Sequence, residues 1–143
     1  IVFPHRDPAS TLPSLASLIA TIRRWTYPHV DQAAIGQAQM EMWATALERT
    51  LAFRADPAQA GRFVDVHYER LVADPMRSVR SIYDHFGLEL TPQAETAMQR
   101  FLDDKPKDKH GAHRYTLEDA GLTRAQVHAR FAPYLDSHFT SQD

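Results

Sequence analysis

The sequence predicts an α/β fold, and three observations carry that prediction. Ile1-Val2-Phe3 is an apolar run of β-forming residues. Arg62 to Tyr68 is a second strand-like stretch, with Phe63, Val64 and Val66 as its β formers. Between and after them, apolar residues recur at helical spacing, so the order reads strand, helix, helix, strand, helix, helix, loop, helix. Strands separated by helices predict a parallel sheet rather than a bundle. A run as apolar as Ile1–Phe3 suits a parallel strand with neighbours on both sides. Two strands make a poor sheet, so residues 1–143 read as the C-terminal part of a larger α/β domain.

Each element follows from local chemistry. Pro4, then His5-Arg6-Asp7-Pro8, is expected to end the first strand. Ser10 is a good N-cap for the first helix, and Pro13 then falls in the first turn, where a missing N–H costs little. Leu15, Leu18, Ile19 and Ile22 recur at i, i+3, i+4 and i+7, predicting one buried face that runs to about Arg24. Trp25-Thr26-Tyr27-Pro28 breaks that helix. A second is predicted from Asp31 to about Arg54, with Ile35, Ala38, Met42, Trp43, Ala46, Leu47 and Leu51 buried. Asp56-Pro57 and Gly61 mark the next loop. Asp74-Pro75 opens a third helix through Val79, Ile82, Tyr83 and Phe86, which Gly87 closes. Thr91-Pro92 starts a fourth, whose inner face is Ala94, Met98, Phe101 and Leu102. Thr123 caps a last helix carrying Val127, Phe131, Tyr134 and Leu135. Trp25, Tyr27 and Trp43 are read as packing residues in preference to the lining of an acceptor pocket.

Composition removes several functions. The 143 residues carry 16 Lys+Arg against 18 Asp+Glu, for a net charge of -2, which argues against a nucleic-acid partner. There is no Cys, so disulfides, thiolate catalysis and thiolate metal sites are excluded. No apolar run approaches the roughly 18 residues that span a bilayer, and the opening residues do not form a signal peptide. The expectation is a cytoplasmic domain. An open outer edge on the Ile1–Phe3 strand would predict self-association into a homo-oligomer. All three Lys fall at 105, 107 and 109, with His110, His113 and Arg114 next, a basic tract that reads as an exposed loop. His110 and His113 make a poor metal site with cations alongside, and no metal is expected. His67 and Glu69 flank Tyr68 on the opposite strand face and read as structural hydrogen-bonding residues, or, for Glu69, as a helix-start residue, while His5 packs under the turn.

Candidate chemistry begins where the first strand ends. Open α/β sheets bind ligands beyond the carboxyl ends of their strands, where helix N–H groups face an anion. Arg6 sits at that end, and Ser14 is placed in the first turn of the helix that follows. A guanidinium fork with a hydroxyl suits a phosphate; equally, Arg6 could pair with Asp7 while Ser14 fills a helix turn.

Three segments resemble one family. HRDPASTLPSLASL is similar to the 3′-phosphate-binding segment of sulfotransferases that use 3′-phosphoadenosine 5′-phosphosulfate (PAPS), with Arg6, Pro8 and Ser14 at the matching positions. VHYERLVADPMRSVRSIYDHFGL resembles the family's strand–Tyr–Glu–x–Leu–x–x–Asp–Pro segment. KHGAHRYTLEDAGL resembles the C-terminal loop of bacterial members. The resemblance implies a P-loop-NTPase-like three-layer α/β/α fold, with residues 1–143 the C-terminal part of one sulfotransferase domain. It implies sulfuryl transfer from PAPS to a hydroxyl or amine of a small-molecule, carbohydrate or lipid acceptor. Arg6 and Ser14 would hold the 3′-phosphate and Tyr68 would lie beside the adenine. Lys109, His110, Gly111 and Arg114 would close over the phosphate.

Two departures stand beside the matches. The Arg-Lys-Gly triplet of better-known cytosolic members is absent, and nothing resembles the family's Gly-containing phosphosulfate loop. That loop and the catalytic base lie upstream of the Arg–Ser segment in this family, so the base is unknown here and is expected before Ile1. A non-catalytic, truncated or degenerate module that binds a nucleotide or a protein is the alternative. A small-metabolite kinase lacks its Gly-Lys-Ser/Thr loop to the same degree, and it fits less well because the Arg6-to-Ser14 and Tyr68 segments have no natural place in it.

Overall fold

The structure, a computed structural model, describes residues 1–104 and 115–139. In chain order its elements are β1 (Val2–His5), α1 (Pro8–Arg24), α2 (Gln32–Arg54), β2 (Val64–His67), α3 (Tyr68–Ala73), α4 (Pro75–His85), α5 (Pro92–Asp104), α6 (Arg124–Arg130) and α7 (Ala132–His138). They divide between two compact units. One comprises residues 1–6 and 61–113, described to 104; the other comprises 7–60 and 114–143, described over 7–60 and 115–139.

The first unit is built on the two expected strands, which pair in parallel with Val2, Phe3, Pro4 and His5 opposite Val64, Asp65, Val66 and His67. The Val64 N–H donates to the Ile1 carbonyl at 3.0 Å. Alternate residues of a parallel strand bond to a given neighbour, so Ile1, Phe3 and His5 serve β2, and the N–H that Pro4 lacks would face away from it. That corrects the expectation that Pro4 ends the strand. Side chains alternate in the same register: Val2, Pro4, Val64 and Val66 share one face, and Phe3, His5, Asp65 and His67 the other.

A six-residue helix, α3, follows β2 at once, so Tyr68 is helical and does not lie on the strand as expected, while Glu69 takes the helix-start position that is one of its readings. Six residues are too short to display a helical period. Asp74 then caps α4, its Oδ1 accepting from the Arg77 N–H at 2.9 Å, and Gly87 follows the helix at φ +61. Thr91 Oγ1 accepts from the Ala94 N–H at 3.3 Å at the start of α5. Met98 and Leu102 are half-buried, but Phe101, expected inside, is exposed.

In the second unit α1 starts earlier than expected. Asp7, not Ser10, is its N-cap, accepting from the Ala9 N–H at 2.8 Å, and Pro8 takes the first helical position, where its fixed φ fits. Pro13 therefore lies inside the helix. The buried stripe is Ala9, Leu12, Pro13, Ala16 and Ala20, while Leu18 and Ile22 are 57% and 50% exposed. On α2, capped by Asp31, the buried residues are Ile35, Gly36, Met40 and Ala44, with Leu47 and Leu51 half-buried. Ala38, Met42 and Trp43, expected inside, are exposed, as are Trp25 and Tyr27 in the turn after α1. The two helices pack on each other, and the buried core they share in mixes small residues with Leu12, Ile35 and Met40.

The last helix is two. Thr123 opens α6 with a capping box to Gln126, and the chain breaks at Phe131 because Pro133 cannot donate to a carbonyl one turn back. Val127, Phe131 and Tyr134 are buried as expected, beside Leu122 and Ala120.

Candidate cofactor-binding site

The site is built on the ends of the two strands. Because His5 stands opposite His67, the next residue of each strand, Arg6 and Tyr68, leaves the sheet at the same level. Their side chains meet: the Arg6 guanidinium carbon lies 4.3 Å from the centre of the Tyr68 ring and over its face. That is well inside the reach of a cation–π contact. Both residues are exposed, with Tyr68 at 40%, so the pair is open to a ligand. Asp7, the acid that could have neutralised Arg6, is engaged in the second unit. It caps α1 and accepts from Arg124 Nη1 at 3.0 Å, with His128 Nε2 3.4 Å away.

One strand level back lies a pairing that the sequence did not suggest. His5 is fully buried, and its Nε2 is 2.8 Å from Asp65 Oδ1. Phe3 meets the His5 ring edge-on at 5.0 Å between centres, and the His67 ring lies at 5.4 Å. Burial, and then the charges of His5 and Arg70, hold His67 below the usual imidazole range, with Glu69 and Asp65 partly opposing. The His5–Asp65 contact links residues 60 positions apart, and only knowledge of the strand register could have revealed it. A cleft of about 590 Å³ runs along β2 from Val64 to His67 and is walled by Arg70, Asp74, Arg77 and Ser78. Arg6 and Tyr68 do not line it.

Of the residues expected to bind the cofactor, the structure brings Arg6 and Tyr68 together. Ser14 is exposed on α1 in the second unit. With Pro8 as residue one of the helix, Ser14 is residue seven, in the second turn and not the first. Lys109, His110, Gly111 and Arg114 lie outside the described residues. Among the described residues, no helix is long and apolar enough to cross a membrane.

Comparison with known proteins bears on the same segments. The model of a sulfotransferase family matches residues 1–93. The sulfotransferase STF9 from Mycobacterium avium superposes with a TM-score of 0.85 at 28% identity, over 96% of this chain and 36% of that one. The sulfotransferase STF1 from Mycobacterium tuberculosis H37Rv superposes with a TM-score of 0.74 at 38% identity, over 92% of this chain and 33% of that one. Carbohydrate sulfotransferase 2 of Mus musculus and of Homo sapiens are each 34% identical over 67 residues, which is 46% of this chain and 12% of theirs. The chain thus spans about a third of the solved structures it matches and about an eighth of the curated relatives.

Proposed function

The chain belongs to the sulfotransferase family and has its α/β fold, and from that premise we propose that residues 1–143 are the C-terminal part of one sulfotransferase domain. The domain moves a sulfuryl group from PAPS to an acceptor hydroxyl or amine, leaving adenosine 3′,5′-bisphosphate. A carbohydrate acceptor is the class favoured by the curated relatives' names. In the transfer the bond from sulfur to the phosphate oxygen breaks, a bond from sulfur to the acceptor forms, and the acceptor gives up a proton.

The contribution of this chain is to hold the donor's nucleotide. The exposed Arg6 guanidinium at the strand ends, over the exposed Tyr68 ring, is the observation that carries the proposal. A fork of N–H donors matches phosphate oxygens, and an aromatic face beside it suits a purine. Arg6 donates to the 3′-phosphate and Tyr68 lies beside the adenine. Ser14, Lys109, His110, Gly111 and Arg114 contribute to the same phosphate, roles that rest on the resemblance of their segments. The 3′-phosphate is remote from the reacting sulfur, so binding energy gained there can orient the sulfuryl group for in-line displacement. No residue of this chain is assigned as the base.

The test is calorimetric titration of adenosine 3′,5′-bisphosphate into the full-length protein. Removing a charged hydrogen bond costs about 1.5–3 kcal/mol, so Arg6→Ala is expected to weaken binding by roughly ten- to 150-fold. Affinity unchanged by Arg6→Ala refutes the assignment.

A further inference from the structure

Resting on the reading that Arg6 meets the 3′-phosphate, we propose that Tyr68 is a positioning residue for Arg6. Its ring holds the guanidinium in place, so that Tyr68 governs recognition of the 3′-phosphate as well as of the base. The register delivers both residues to one level, where the guanidinium carbon sits 4.3 Å from the ring centre. Arg6 is exposed, and an exposed arginine side chain samples many rotamers, whose loss on binding subtracts from affinity. Resting on an aromatic face restricts those rotamers before the ligand arrives. A guanidinium uses its flat face to stack and its edge to donate, so the ring contact leaves the N–H fork for an anion. Tyr68 is itself well anchored. It follows β2 directly as the first residue of α3, and its predecessor His67 is fixed opposite His5.

This differs from a Tyr68 that touches only the adenine, and the difference is measurable. Affinities for adenosine 3′,5′-bisphosphate and adenosine 5′-phosphate are measured by calorimetry on the full-length protein, and their ratio isolates the 3′-phosphate. Tyr68→Leu is expected to reduce the ratio by about two- to fivefold, the scale of an exposed cation–π contact. Tyr68→Phe keeps the ring and should keep the ratio. In an Arg6→Ala background, Tyr68→Leu should leave the ratio unchanged. If Tyr68→Leu weakens both ligands equally, or lowers the ratio as much without Arg6, the positioning role is overturned. A wild-type protein with no preference for the bisphosphate removes the underlying function instead. The positioning role then stands or falls on a ligand-free measurement. In the NMR spectrum the Arg6 side-chain protons should be shifted upfield by the ring current and should return toward ordinary values in Tyr68→Leu. Unshifted Arg6 protons in the wild type overturn the proposal.

Discussion

Gly36→Ala sets two opposing effects against each other. Gly36 lies inside α2, where alanine is the better helix former by about 1 kcal/mol. On propensity alone the substitution stabilises. But a Cβ at Gly36 would stand 2.0 Å from the Ala120 carbonyl oxygen, 2.9 Å from its carbon and 3.0 Å from its Cβ. Carbon and oxygen normally approach no closer than about 3.3 Å, so backbone must shift by roughly an ångström. The obstructing 3-10 turn, Glu118–Ala120, cannot easily withdraw. It is tied by the Leu122 N–H to Leu117 carbonyl bond at 2.9 Å and by Gln37 Nε2 donating to the Gly121 carbonyl at 2.8 Å, and it seats the buried Leu122. Overpacking costs about 1–3 kcal/mol and a stretched hydrogen bond about 1 more. Offset by the propensity gain, the net is a loss of about 1–3 kcal/mol. Urea unfolding followed by tryptophan fluorescence reads it, because Trp25 and Trp43 both belong to the unit concerned. Ala38→Gly, at an exposed position of the same helix, is the control and should cost about 1 kcal/mol through propensity alone. A Gly36→Ala protein as stable as wild type or more so would refute the close approach of α2 to this turn.

Two further outcomes are expected. The depressed His67 pKa means that the unfolded chain takes up this proton first as pH falls through about 6.5. Stability therefore declines from there down to the lowered native value. His67→Gln should flatten this part of the Tm-against-pH curve, and identical curves for the two proteins would contradict it. At the start of α6, Thr123 Oγ1 accepts from the Gln126 N–H at 3.2 Å, and Gln126 Oε1 accepts from the Thr123 N–H at 2.9 Å. Thr123→Ala should lower stability by about 1 kcal/mol and Thr123→Ser by much less, as read from the urea midpoint; equal effects would deny the hydroxyl its capping role.

The elements that were legible in the sequence are those set by their own few residues. Asp31, Asp74 and Thr123 cap helices where their side chains predict, and Gly87 takes the positive φ that ends α4. Both strands were legible from their β-forming residues, and Arg6 stood out because a strand end is a local feature, whereas Tyr68 was singled out by the resemblance of its segment alone. What depends on partners far along the chain was not legible. Nothing near His5 announces Asp65, and nothing near Pro4 says that its missing N–H faces away from β2. Ser14 was placed one turn too early because Ser10 and Asp7 are both acceptable caps, and only the observed bond to the Ala9 N–H decides between them.

The misjudged helix faces have one physical cause. Periodicity analysis takes the large apolar residues to mark the buried side, which holds when helices are held apart by bulky side chains. Here the buried positions of α1 and α2 include Ala16, Ala20, Gly36 and Ala44, and the two alanines of α1 are fully buried. A small residue at a buried position lets neighbouring backbone come close, as the Ala120 carbonyl does at Gly36, and Leu18, Ile22, Met42 and Trp43 lie off these buried positions. These therefore point outward, where four large apolar side chains on two helices expose more hydrophobic surface than scattered single residues would. A small-residue stripe has no hydrophobic signature of its own, because alanine is common on every face of a helix. It becomes visible only when a neighbour is seen to touch it, as Ala120 touches Gly36. Gly36→Ala tests that contact directly, because it adds the one methyl group whose absence lets the Ala120 turn approach α2.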